Sequence, residues 1–120
     1  MLQFQGRNIN SEFDLLKVKA QTFDFIKPLK FEKVDSDKLT NLIYGLTKKL
    51  VFNQVDCYLC LSHYKQERRR GLEIYVYNKS MTIKKAKEDL NKNTGFLDKF
   101  DLTQDPKAGI ELRLLKWSKL

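Results

Sequence analysis

The chain has 120 residues, of which 42% are hydrophobic and 12% aromatic. That length and composition suit one folded domain over 1–120 and exclude wholesale disorder. Its 23 Lys and Arg outnumber 15 Asp and Glu, giving a net charge of +8 that favours anionic partners. No run approaches the ~18 consecutive apolar residues of a membrane-spanning helix. No basic segment followed by an apolar run opens the chain, so a cytoplasmic protein without membrane contact is expected.

Ser11-Glu12-Phe13-Asp14 has the form of a helix cap, with an acid near the positive end of the helix dipole. Phe13, Leu16, Ala20 and Phe23 follow at helical spacing, and Pro28 ends the pattern. This predicts a helix over 11–26. Leu15, Val18 and Phe25 are apolar as well, so its burial extends beyond one side. Residues 29–34 alternate apolar and charged side chains, which predicts a short strand. Asp35-Ser36-Asp37 supplies the next cap, and Leu39, Leu42, Ile43, Leu46 and Leu50 mark one face of a second helix.

Period-two alternation is clearest over 54–78. Val55, Cys57, Leu59 and Leu61 share one face of a strand; Asp56, Tyr58, Cys60, Ser62 and Tyr64 share the other. After the turn, Leu72, Ile74 and Val76 oppose Glu73, Tyr75 and Tyr77. A short basic helix is expected over 80–91, with Ile83, Ala86 and Leu90 inward and Asn93-Thr94-Gly95 as its stop. Residues 96–108 keep no sustained period, so a loop with a helical turn near 97–100 is expected. A last strand over 109–117 places Ile110, Leu112 and Leu114 opposite Arg113, Leu115 and Trp117.

After the first helix the order is β-α-β-β-α-β. The expected fold is α+β: an antiparallel sheet of about four strands with two helices on one face. The order is a split βαβ, or ferredoxin-like, one preceded by an N-terminal helix. That first helix is the element with the means to cover the sheet's second face.

The hairpin turn carries Arg68, Arg69 and Arg70 in succession. Like charges repel, so folding alone gives no reason for the run, whereas a polyanion does. Between His63 and Lys92, nine basic side chains (Lys65, Arg68, Arg69, Arg70, Lys79, Lys84, Lys85, Lys87, Lys92) face four acids (Glu67, Glu73, Glu88, Asp89). Five of the eight net charges therefore lie in a quarter of the chain. The bland counterpart is a lysine-rich surface that serves solubility.

Catalytic and metal signatures are sparse. Cys57 and Cys60 form a C-x-x-C pair before His63, but strand parity puts the thiols on opposite faces, one in the core and one at the surface. They sit on no helix N-terminus, as a redox pair would. His63 is the only histidine; it lacks a partner for base catalysis and is expected to be solvated or to contact phosphate. Asp56 and Glu73 as cross-strand neighbours, or Asp105-Pro106-Lys107, would be needed for a carboxylate nuclease. No glycine-rich phosphate loop occurs. No cofactor, metal or catalytic residue is expected.

Tyr58, Tyr64, Tyr75, Tyr77 and Trp117 fall on the non-core face of three strands, interleaved with Arg113 and flanked by the arginine turn. Rings on an open sheet stack on unpaired bases, at ~1–3 kcal/mol each. The strand from Arg70 to Tyr77 resembles, in its basic-glycine start, a strand of RNA-recognition motifs. Leu72 and Ile74 stand where that motif carries aromatics, and Glu73 where it carries a small residue, so the family is not assigned. The expectation is a nucleic-acid-binding protein, for DNA or RNA, as a monomer or a homodimer. Arg68, Arg69, Arg70, Lys65, Lys84, Lys85 and Lys87 would meet phosphates, and the rings would meet bases. A protein-interaction module, such as an adaptor or a phage or mobile-element inhibitor, is the alternative, since Tyr, Trp and Arg also dominate protein interfaces.

Overall fold

The computed structural model describes residues 1–82, 84, 85, 87, 95–105 and 109–118. Strand β1 (Leu2–Gln5) leads through a 3₁₀ turn over Gly6–Asn8 into helix α1 (Glu12–Ile26). A second 3₁₀ turn (Lys27–Leu29) joins it to helix α2 (Lys33–Leu50). Strands β2 (Cys57–Gln66), β3 (Arg69–Asn78), β4 (Lys99–Asp105) and β5 (Gly109–Trp117) complete the fold. The five strands form one antiparallel sheet in the order β1-β2-β3-β5-β4.

Register and parity decide which side is core. Phe4, Leu59, Val76, Leu112 and Leu102 stand in one row across all five strands. Leu61, Leu72, Ile74 and Leu114 share that face, and the buried residues of both helices, among them Leu15, Val18, Ile26, Leu39, Ile43 and Leu50, pack against it. Each such side chain contributes ~1.5–3 kcal/mol on burial. The α1 cap forms as its sequence predicts: Ser11 Oγ accepts from the Asp14 N–H at 3.1 Å, and the Asp14 carboxylate accepts from the Asn10 N–H at 3.2 Å. That second bond, and then a hydrogen bond from the Ser11 side chain to the carboxylate, hold the Asp14 carboxyl below its ordinary value of 3.8.

The mixed α+β character holds, but the ferredoxin-like order does not. Residues 29–34 form no strand: Leu29 ends a 3₁₀ turn, Lys30 is left-handed at φ 55°, and α2 has begun by Lys33. Pro28 makes this a corner between antiparallel helices, with Leu29 buried and Phe31 half-buried. Six residues of alternation suit a helix corner as well as a strand. Asp35, Ser36 and Asp37 consequently lie inside the helix rather than capping it. The first strand of the hairpin starts at Cys57, leaving Val55 71% exposed outside the sheet.

Two edge strands replace what the pattern suggested. β1 has only four residues. β4 occupies the segment expected to be a loop with a helical turn, and its Lys99, Asp101, Thr103 and Gln104 are exposed. Polar edge strands are tolerated because one side needs no partner, and charge there discourages further pairing. The basic helix expected over 80–91, with Ile83, Ala86 and Leu90, lies largely outside the described residues, as does its stop before Gly95. Lys84, Lys85 and Lys87 are helical and exposed.

The apolar stripe of α1 is also a correction. Leu15, Val18, Thr22 and Ile26 face the core. Phe13, Leu16 and Phe23 are 64%, 58% and 45% exposed. Both stripes have helical spacing, and only the sheet's position selects between them.

Candidate nucleic-acid interface

Both described helices lie on one sheet face, so none of the described elements covers the other. That uncovered face carries Tyr58, Tyr75 and Tyr77 as a half-buried cluster, with ring centroids 5.9 Å apart for Tyr58–Tyr75 and 5.4 Å for Tyr58–Tyr77. Beneath them Cys60 and Leu115 fill the floor, 8% and 6% exposed. The expected surface thiol is therefore buried, because the neighbouring rings close over it. Burial raises the pKa of both Cys57 and Cys60, which leaves them protonated and poorly nucleophilic.

Glu73 and Glu111 sit among the rings, both half-buried. Desolvation is the first cause of the raised pKa of Tyr75, followed by its hydrogen bond to the Glu111 carboxylate. Arg113, opposite Tyr75 in register, holds its guanidinium 5.2 Å above that ring. This half of the face is thus self-satisfied, with carboxylates that oppose phosphate.

The other half lies at the hairpin end. Tyr64 and Trp117 meet at 5.6 Å, and Arg69 stacks 4.1 Å above the indole. Gly71 lies between them in register. A Cβ there would come within 2.7 Å of the Lys116 carbonyl oxygen and 2.9 Å of the Trp117 ring, so glycine lets the rings close over the backbone. Ser118 donates from its N–H and its hydroxyl to the Arg70 carbonyl, at 2.8 and 2.9 Å.

The arginine run does not act as one cluster. Gln66 pairs with Arg69, so the turn is only Glu67 and Arg68, with Glu67 at φ 55°. Arg69 and Arg70 are strand residues and project to opposite faces. Arg69 joins Trp117. Arg70, Arg68 and Lys65 line a cleft of about 400 Å³ with Pro28, Leu29, Lys30 and Glu67. Lys30 was missed by sequence reasoning; only the helix corner brings it here. Among the described residues, the structure pairs none of Lys65, Arg68, Arg69 and Arg70 with a carboxylate within 4 Å. Lys84, Lys85 and Lys87 leave the sheet from the end of β3 opposite the turn, and no described contact joins them to the tip.

His63 is exposed, as expected, and is at the same time engaged by the protein. Its ring packs 4.2 Å from that of Phe25, and Nε2 lies 2.6 Å from the Phe25 carbonyl oxygen. A carbonyl only accepts, so Nε2 is the donor and the imidazole pins the end of α1 to the sheet. Asp56 and Glu73 do not meet. Asp56 pairs with Lys79 at 3.7 Å, whereas Glu73 stands opposite Ser62 further along the hairpin. Residues 106 and 107 of the Asp105-Pro106-Lys107 motif lie outside the described residues. Among the described residues no group of three or more His, Cys, Asp and Glu is placed to hold a metal ion. No described helix is long and apolar enough to cross a membrane. No protein-family model matches the chain, and no curated protein does either.

Proposed function

We propose that this protein binds nucleic acid at the end of the β2–β3 hairpin and acts without catalysis. Lys65, Arg68 and Arg70 grip phosphates on one side of the tip, and Tyr64, Trp117 and Arg69 offer stacking planes on the other. Tyr58, Tyr75, Tyr77 and Arg113 extend the face, while Lys84, Lys85 and Lys87 add to the attracting field. The observation that carries the reading is the tip's set of cations, none of which has a carboxylate within 4 Å among the described residues. Positive charge left uncompensated on a folded surface is available to polyphosphate, and its counterions are released on binding.

The test is fluorescence anisotropy with labelled single-stranded and duplex DNA and RNA across a salt series. Binding should weaken steeply as salt rises, and replacing Arg68 and Arg70 together by Ala should lower the log–log slope by about 2. Binding to no polynucleotide, or binding insensitive to salt, overturns the proposal.

A protein-interaction module is the second reading, favoured by the exposed Phe13, Leu16 and Phe23 on α1, which phosphate recognition does not need. It predicts a specific co-purifying protein that resists nuclease treatment.

A further inference from the structure

The tip of the β2–β3 hairpin carries its two kinds of group on opposite faces. Parity sets Lys65 and Arg70 on the helix side, where with Arg68 and Lys30 they line the cleft of about 400 Å³. Four cations there face one acid, Glu67. On the other side Trp117 closes over Gly71, Arg69 lies 4.1 Å over the indole, and Tyr64 meets it at 5.6 Å. Arg69 and Tyr64 are the exposed members of that stack.

Resting on the hairpin-end reading proposed above, we infer that the ligand is a single strand of nucleic acid that passes round the tip. An unpaired base lies on Arg69 and Tyr64, and the phosphates that follow it enter the cleft. Guanidinium planes and aromatic rings both stack on unpaired bases.

Charge sets the path. Glu73 stands two residues beyond Gly71 on the same face, half-buried, and repels a phosphate backbone that continues along the sheet. The backbone leaving the stacked base therefore heads for the hairpin end, past Arg68, where the cations of the cleft begin.

Dimensions exclude the duplex. β5 ends at Trp117, opposite Gly71, and only Lys65–Arg70, Gln66–Arg69 and the turn lie beyond that register. At ~3.4 Å per residue, two pairs make roughly 7 Å of ribbon. Duplex DNA is stiff over ~150 bp, so it meets one face of such an edge and does not fold round it. Nor does the ~12 Å major groove admit the tip, because the corner at Pro28, Leu29 and Lys30 adds a second layer on the helix side. A single strand bends at each nucleotide and reaches both faces.

Fluorescence anisotropy tests this with one labelled strand of about 12 nucleotides, as DNA and as RNA, alone and annealed to its complement. The single strand should bind on the order of tenfold more tightly than the duplex at the same salt. Arg69→Lys keeps the charge and removes the stacking plane. It should weaken single-strand binding on the order of fivefold and leave both the salt slope and duplex binding unchanged. Lys30→Asn suits the left-handed backbone at φ 55°; it removes a cleft cation and should lower the single-strand log–log slope by about 0.7. Both residues are exposed, and circular dichroism checks that each variant keeps the fold. Duplex bound as tightly as the single strand, or single-strand binding that either variant leaves unchanged, overturns the inference while salt-dependent binding at the tip stands. Binding to no polynucleotide overturns both.

Discussion

Tyr75 is the phenol whose acidity the sheet shifts most. Its hydroxyl is desolvated by its neighbours and donates to Glu111, so ionisation would put a second negative charge beside that carboxylate. The folded pKa lies above the ordinary 10.0, which sets the sign of the pH dependence. The contribution of Tyr75 to stability is constant while pH stays below 10.0 and is lost as pH climbs from there toward the folded value. Tyr75→Phe should reduce the loss of stability between about pH 9 and about pH 11, measured as the shift in urea midpoint. An equal loss in the variant would place the alkaline sensitivity elsewhere. Single residues were the least legible level of the sequence. Cys60 reads as a surface thiol, and His63 gives no sign of its contact with Phe25, until parts distant along the chain are brought against them.

Among the elements, those with a sustained period were legible and those defined by their neighbours were not. The β2–β3 hairpin, α1, α2 and β5 carry period-two or helical patterns over nine residues or more. β1 is too short for a period to register, and β4 is polar because an edge strand needs to bury little. The corner between the helices shows the reverse error, since a buried Leu29 and a half-buried Phe31 imitate alternation. One joint between elements depends on a single side chain. Asn78, fully buried, donates to the Leu50 carbonyl at 2.6 Å and to Gln54 Oε1 at 3.0 Å, and accepts from the N–H groups of Ser80 and Met81 at 2.9 and 3.0 Å. It thus ties the end of α2 to the end of β3 and to the chain beyond. Asn78→Ala leaves the Leu50 carbonyl and two N–H groups without those partners and should cost roughly 2–3 kcal/mol, read from denaturant unfolding. A loss below about 0.5 kcal/mol, within the range of ordinary surface substitutions, would mean that water replaces the amide.

On the scale of the whole molecule, the sheet separates two surfaces. Its helix-covered side holds the core, and the side that none of the described elements covers presents rings that shade into cations toward the hairpin end. Composition and parity made that assembly of Tyr58, Tyr64, Tyr75, Tyr77, Arg113 and Trp117 legible. The division of the arginines was not, because the turn is only Glu67 and Arg68, which leaves Arg69 and Arg70 in the strand, where neighbouring side chains take opposite faces.

The same alternation places Cys57 on the helix side of β2 and Cys60 on the tyrosine side, 1% and 8% exposed. One strand therefore carries a chemical clock on each of its surfaces. Under native conditions, a maleimide should label Cys60 before Cys57, since only side chains shelter the first while packed helices shelter the second. Equal labelling rates would mean that the layers part together, in one cooperative opening.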